Sequence, residues 1–120
     1  MAYTINMMLP KKKRLTKAQF DRFFSCGRRY HSPSIQLIHA KDPHFHGAAV
    51  VGKKVYKRAV DRNRLRRQLY DILYREHSTN LTKGVFIAIA KPPAKNADYS
   101  ALKEELKQLL SKIESMSITR

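Results

Sequence analysis

Apolar positions in this chain follow two rhythms. Leu65, Leu69, Ile72 and Leu73 recur at i, i+4, i+7 and i+8, which lines one face of an α-helix. That helix is predicted to run to about Glu76. Leu102, Leu106, Leu109, Leu110 and Ile113 repeat the stripe in a last helix predicted from about Tyr99 to Ile113. By contrast, "VFIAIA" (85–90) is short and apolar throughout, which predicts a central strand. "SPSIQLIHA" (32–40) predicts a strand after the break at Pro33. "AAVVG" (48–52) predicts a second short strand paired with it across the turn "KDPHFHG" (41–47). Near the start, Thr16 and Gln19 have capping-box spacing and Gly27 supplies a stop, so a first helix is expected between them. Phe20, Phe23 and Phe24 cluster on it. "NLTKG" (80–84) reads as a loop, and Pro92 and Pro93 argue against helix in "KPPAKNAD" (91–98).

The order is α-β-β-α-β-α. Strongly striped helices mixed with short strands predict an α+β fold, a two-layer α/β sandwich with three main helices laid on a small mixed sheet. Residues 1–14 read as a basic N-terminal arm, 15–114 as a single domain and 115–120 as a C-terminal tail. In the last strand Val85, Ile87 and Ile89 alternate with Phe86, Ala88 and Ala90. The bulky side is expected to carry the striped helices. The small side is expected to leave a groove beside the phenylalanines of the first helix.

Charge changes the picture most. The chain has 120 residues, with 25 Lys and Arg against 9 Asp and Glu, a net charge of +16. That excess calls for a polyanion, and nucleic acid is the first choice. No basic amphipathic helix with Trp or Phe anchors points to a membrane surface instead, and no run of about 20 apolar residues predicts a membrane span. The single cysteine, Cys26, permits no internal disulfide and fits a reducing compartment. It reads as structural, despite Arg28 and Arg29 nearby. "PKKKR" (10–14) has the look of an import signal, but in so basic a chain it reads as part of a solvated or RNA-touching arm.

The charge is concentrated. From Lys53 to Arg67 there are eight basic residues and one acid, a net +7. Such a run is usually a solvated helix face. Here balancing acids and Glu-to-Lys pairs are missing, and arginine, whose fork fits phosphate oxygens, dominates. At about 100° per residue, Arg62 and Arg66 flank the stripe of Leu65 and Leu69, while Asn63 and Arg67 point away. Asp61 reads as charge relief in the first turn of a helix rather than a general base. Phe20 and Phe24 share a face, and a half-exposed pair there would stack on unpaired bases. "HFH" (44–46) is not completed to a zinc site, so no metal ligand set is assigned. Paired carboxylates, a nucleophile elbow and a phosphate-cradling glycine loop are all missing from the sequence, and no catalytic residue is assigned.

With these elements placed, the chain resembles the bacterial ribonuclease P protein component. The resemblance is carried by Lys53-Lys54, by "RAVDRNRLRR" (58–67) around Arg62-Asn63-Arg64, and by "QFDRFFSCGRRYHS" (19–32), and it spans about residues 9–113. It implies an RNA-binding subunit that promotes endonucleolytic removal of the 5′ leader from precursor tRNA. The chemistry is then expected in the RNA subunit with its Mg²⁺, and no cofactor is expected on the protein alone. The expected partners are ribonuclease P RNA and precursor tRNA, for a monomeric, cytoplasmic subunit with no membrane contact. Carried over residue by residue, RNA contact falls to Lys53, Lys54, Arg58, Arg62, Asn63, Arg64, Arg66 and Arg67. Phe20, Phe24 and Ile38 would line the leader groove. The resemblance also implies a left-handed strand-helix-strand crossover, against the usual right-handed rule. This chain departs from the family pattern at Lys57-Arg58, where many members have Gly-Asn, at Ile38, where many have an aromatic, and at Gly52, where Ser is common. The rival reading is a ribosomal or RNA-chaperone-type protein that only binds.

Overall fold

A computed structural model of the chain describes residues 15–80 and 84–118, with side chains at 15–76 and 84–113. Helix α1 (Lys17–Cys26) starts at the expected capping box. The Thr16 hydroxyl accepts from the Gln19 backbone N–H at 3.2 Å, and the Gln19 side chain accepts from the Thr16 N–H at 3.0 Å. Two N–H groups with no intrahelical partner are satisfied this way. At the other end the Gly27 N–H donates to the Phe23 carbonyl at 2.9 Å. A Cβ on Gly27 would press into Ile38 and lie 2.8 Å from that same carbonyl, so only glycine lets the chain turn this close to the sheet.

Four strands follow: β1 (Arg28–His31), β2 (Ile35–Ala40), β3 (His46–Val50) and β4 (Val85–Ala90). Between β3 and β4 lies α2 (Ala59–Asn80), and α3 (Tyr99–Ile118) closes the chain. The sheet order is β1-β2-β4-β3. β1 and β2 are antiparallel, as are β2 and β4, while β3 runs parallel to β4. The expected α+β architecture with a mixed sheet is present, but the pairing differs from expectation. β3 does not pair with β2, because β4 is inserted between them. A six-residue strand that is apolar on both faces is stabilised more in the sheet centre than at an edge. β1 was not anticipated. Its sequence, Arg-Arg-Tyr-His, carries one apolar residue, and it is held as an edge strand by its partner rather than by its own pattern.

The two faces of the sheet reverse the expectation from strand β4. Phe86, Ala88 and Ala90, the smaller side, pack against Leu65, Leu69, Ile72 and Leu73 of α2 and Leu102, Leu106 and Leu109 of α3. Val85 and Ile87 face α1 together with Phe23, Ile38 and Ala48. Small residues let two leucine-striped helices approach the sheet closely, whereas the short aromatic α1 needs a bulkier floor beneath it. Two boundaries also move. Pro92–Asn96 forms a 3₁₀ helix, since prolines at the first positions forfeit only N–H groups that a helix start leaves unpaired. α3 continues to Ile118, so the boundary expected at 114 falls inside a helix. The N-terminal arm lies outside the described residues.

Candidate nucleic-acid interface

Strand pairing fixes three cross-strand rows on the α1 side of the sheet. The middle row is Arg29, Ile38, Ile87 and Ala48. Its three apolar members are buried beneath α1 with Phe23. The row nearer the start of β4 is Ala40, Val85 and His46. The row at the opposite end is His31, Gln36, Ile89 and Val50, and none of these four is buried. Here the sheet is left uncovered, with Ile89 and Val50 half-exposed beside the buried cluster.

The α1 wall above this face carries Phe20 and Phe24, which pack against the same buried cluster as Ile89 and Val50. Both phenylalanines are half-buried, and their rings stack with centroids 5.5 Å apart and planes 29° apart. Phe23, about 100° around the helix from Phe24, is the member of the trio that is buried. Ile38 has no exposed surface. It supports Gly27 and Phe23 from below rather than lining the groove, a correction to its expected place. An aliphatic side chain in the middle row is covered by α1, and the exposed floor belongs to Gln36, Ile89 and Val50, which sequence reading did not single out. Their signal lay in pairing register, which requires knowing that β4 separates β2 from β3.

The basic segment begins where that open row ends. β3 leaves the sheet at Val50, turns through Gly52, Lys53 and Lys54, and enters α2 at Ala59. The turn closes through the Val55 N–H to the Gly52 carbonyl at 3.1 Å, leaving both lysines exposed. Gly52 has open space around it, so the serine expected there is a tolerated alternative. Because α2 must return alongside the sheet to the start of β4, its N-terminal end sits at the open end of the groove. There its unpaired backbone N–H groups add partial positive charge.

The arginines do different jobs. Arg62 donates from one nitrogen to the Tyr56 carbonyl at 3.1 Å and the Lys57 carbonyl at 2.6 Å. It therefore braces the loop that leads into the helix. Arg58 and Arg64 share Asp61, at 3.0 and 3.4 Å, with side chains 77% and 60% exposed. Asp61 holds the two guanidinium groups apart on one turn and relieves their repulsion, in keeping with its expected role. Arg66 donates to the Asn63 side-chain oxygen at 2.6 Å, which orients Asn63 on the exposed face. Arg67, four residues on from Asn63, is half-buried. Lys53, Lys54, Arg58, Asn63 and Arg64 are exposed, and all five lie in the segment between the end of β3 and the second turn of α2.

Away from this end, Asp71 is buried at 5% exposure and accepts from the Tyr99 hydroxyl at 2.6 Å and from Arg75 at 3.0 Å. Burial and the adjacent Asp71 push the Tyr99 hydroxyl up to about 12, so it stays a donor. This cluster ties α2 to α3 and faces no groove. Cys26 is exposed, not buried. Among the described residues, no three His, Cys, Asp or Glu side chains converge as a metal site would require, and no helix is long and apolar enough to cross a membrane.

Comparison with known proteins bears on this arrangement. The family model for Ribonuclease P matches residues 9–114. A "Ribonuclease P protein component" from Microcystis aeruginosa is 39% identical over 114 residues, covering 88% of this chain and 94% of the relative. Another, from Nitratiruptor, is 34% identical over 98 residues, covering 82% and 88%. Among solved structures, the RNase P protein of Staphylococcus aureus superposes with a TM-score of 0.74 at 23% identity, covering 84% of this chain and 94% of that one. The Thermotoga maritima RNase P protein gives 0.72 at 21% identity, covering 82% and 96%.

Proposed function

The chain belongs to the ribonuclease P protein component family, and from that premise we propose that it binds the catalytic RNA and the 5′ leader of precursor tRNA at two adjoining surfaces. It is a subunit of ribonuclease P in tRNA 5′ maturation. The observation that carries the finer reading is adjacency. The uncovered row of Gln36, Ile89 and Val50 shares the α1 side of the sheet with half-buried Phe20 and Phe24, and it lies at the end of the sheet where β3 leads through Lys53 and Lys54 into α2.

The two surfaces suit two ligands. The groove offers apolar floor and stacked rings, which hold unpaired bases without reading sequence. The exposed end of α2 offers arginine forks and backbone N–H groups, which hold phosphates of a folded RNA. A single polyanion-binding patch would need only the second. Hydrolysis is assigned to the RNA subunit with its Mg²⁺, in the cytoplasm where precursor tRNA is processed. Asp61 and Asp71 of α2 are each engaged with arginine, which supports a binding role for the protein.

The test is reconstitution at low Mg²⁺ of the protein with a bacterial ribonuclease P RNA and precursor tRNA. Stimulated cleavage at the 5′ end is expected, stronger for a substrate with a leader of several nucleotides than for one with a single nucleotide. Stimulation blind to leader length would remove the groove from the reading. No stimulation would favour a binding protein without a catalytic partner. For direct leader binding, about five to eight phosphate contacts give a slope of log affinity on log salt of roughly −3.5 to −6. A flat salt response would remove the electrostatic account.

A further inference from the structure

Arg29 takes part in the same wall as Phe20 and Phe24. Its guanidinium lies over the Phe24 ring, 4.8 Å from the centroid, and Phe24 in turn stacks on Phe20. One guanidinium nitrogen donates to the Phe24 carbonyl at 3.0 Å. The wall is thus a contiguous series of two rings and a planar cation, tied to the last turn of α1. Strand register puts Arg29 on the groove side of the sheet, next to Ile38, on edge strand β1. Its neighbour Tyr30 packs on the opposite side, with the α2 and α3 core.

Capping a helix C-terminus accounts for one of the five N–H donors of a guanidinium. It does not account for the others. Arg29 is exposed and makes none of the salt bridges found among the described residues, whose carboxylates are Asp61 and Asp71. A cation held over an aromatic ring, on a residue exposed to solvent, combines the two features that hold single-stranded RNA. A base can continue the stack, and a phosphate can meet the remaining N–H groups.

We propose that Arg29 is a leader-contacting residue, which positions Phe24 through its carbonyl and accepts a leader phosphate on the outer edge of its guanidinium, extending the groove to the β1 edge of the sheet. This rests on the leader-groove reading above. The contact is to the backbone, so it carries no base preference.

The experiment uses the reconstituted holoenzyme and two precursor tRNAs, with leaders of several nucleotides and of one. The quantity read is the ratio of their affinities. For Arg29→Ala that ratio is expected to fall about fivefold, the range of one cation–π contact and one phosphate contact. The salt slope for the long-leader substrate is expected to become shallower by about 0.7, a change that a merely structural role would not produce. For Arg29→Lys, which keeps the charge but not the planar fork, a drop of about twofold is expected. Circular dichroism reports whether each variant folds. An unchanged ratio in folded Arg29→Ala overturns the inference. If that variant does not fold, an unchanged ratio in Arg29→Lys overturns it. A wild-type ratio of one would sink the leader groove and this inference together. A wild-type ratio above one, unaltered by the Arg29 changes, would sink only this inference.

Discussion

The two faces of the sheet bury their apolar residues to different degrees. On the α2 and α3 side, the strands meet two long leucine-striped helices, and Leu37, Leu69, Ala88, Leu102 and Leu106 have no exposed surface at all. On the α1 side, a ten-residue helix covers the middle of the sheet and leaves one row of Gln36, Ile89 and Val50 open. Burying a leucine stabilises by roughly 1.5–3 kcal/mol, so the first face holds most of the fold's stability. The second face trades part of that burial for accessible rings and floor. Folding and binding are therefore assigned to opposite sides of one thin layer, and substitutions on the two sides should separate in their effects.

The largest effect is expected on the closed face. Leu69→Ala deletes a fully buried side chain at the contact of α2 with the sheet. It should cost about 2–5 kcal/mol of stability, read as a shift of the urea midpoint. Among molecules that remain folded, discrimination between long and short leaders should survive. A variant that kept its stability but lost leader discrimination would break the division between the faces.

On the open face the expectation reverses. Phe24→Ala removes a half-buried ring that stacks on Phe20 and carries Arg29. Leader affinity should fall by about 1–3 kcal/mol, the range for a lost base–aromatic stack. Stability should fall by less than in Leu69→Ala, because part of the ring is already in water. A stability loss equal to that of Leu69→Ala, with affinity unchanged, would make α1 a core helix and remove the groove.

Between these lies a polar contact within the closed face's helical layer. Tyr99→Phe removes a 2.6 Å hydrogen bond to buried Asp71 and leaves that carboxylate with Arg75 alone. A loss of about 1 kcal/mol is expected, with no change in leader affinity. The Tyr99 hydroxyl has its pKa raised above 10, so its contribution is complete below pH 10 and is lost as pH rises toward about 12. The wild-type protein should therefore lose stability in that alkaline window more steeply than Tyr99→Phe. Parallel profiles would mean that the bond does not form in solution.

The sequence made these faces legible unequally. The helix stripes at Leu65–Leu73 and Leu102–Ile113, the capping box and the density of arginine were local signals, and the elements they indicate are present. The pairing of β3 was not readable, because alternation within a strand says nothing about its neighbour. The faces of β4 were reversed for a related reason. Side-chain size in the sequence suggests how much must be covered, whereas in the fold it sets how closely a helix can approach. β1 was invisible, since two arginines, a tyrosine and a histidine do not describe a strand. Its recognition needed β2 in place to pair with it. In the sequence Arg29 is a basic neighbour of Cys26 and part of "QFDRFFSCGRRYHS", with no local sign of its place beside Phe24. Its stacking on Phe24 required both the turn at Gly27 and the strand after it.

The smallest effect tests whether the closed face extends to its edge. His39 lies on that face, its ring 4.8 Å from Phe86, with Nδ1 placed 3.3 Å from the Val85 carbonyl and therefore donating. Gly84 closes over it with φ at +111°, and a Cβ there would lie 2.7 Å from the His39 ring. Burial lowers the His39 pKa below 6.5, opposed by the bond to Val85 and assisted by the positive charge of Lys41. A histidine depressed on folding binds its proton more readily in the unfolded chain. Its contribution is therefore present above pH 6.5 and is lost as pH falls through the folded value. The urea midpoint of the wild-type protein should drop between about pH 7.5 and pH 5. His39→Asn keeps a neutral donor for the Val85 carbonyl and should make that drop smaller. Equal drops would place His39 outside the closed face, in water on both sides of the transition, and would move the edge of the packed layer inward to Phe86.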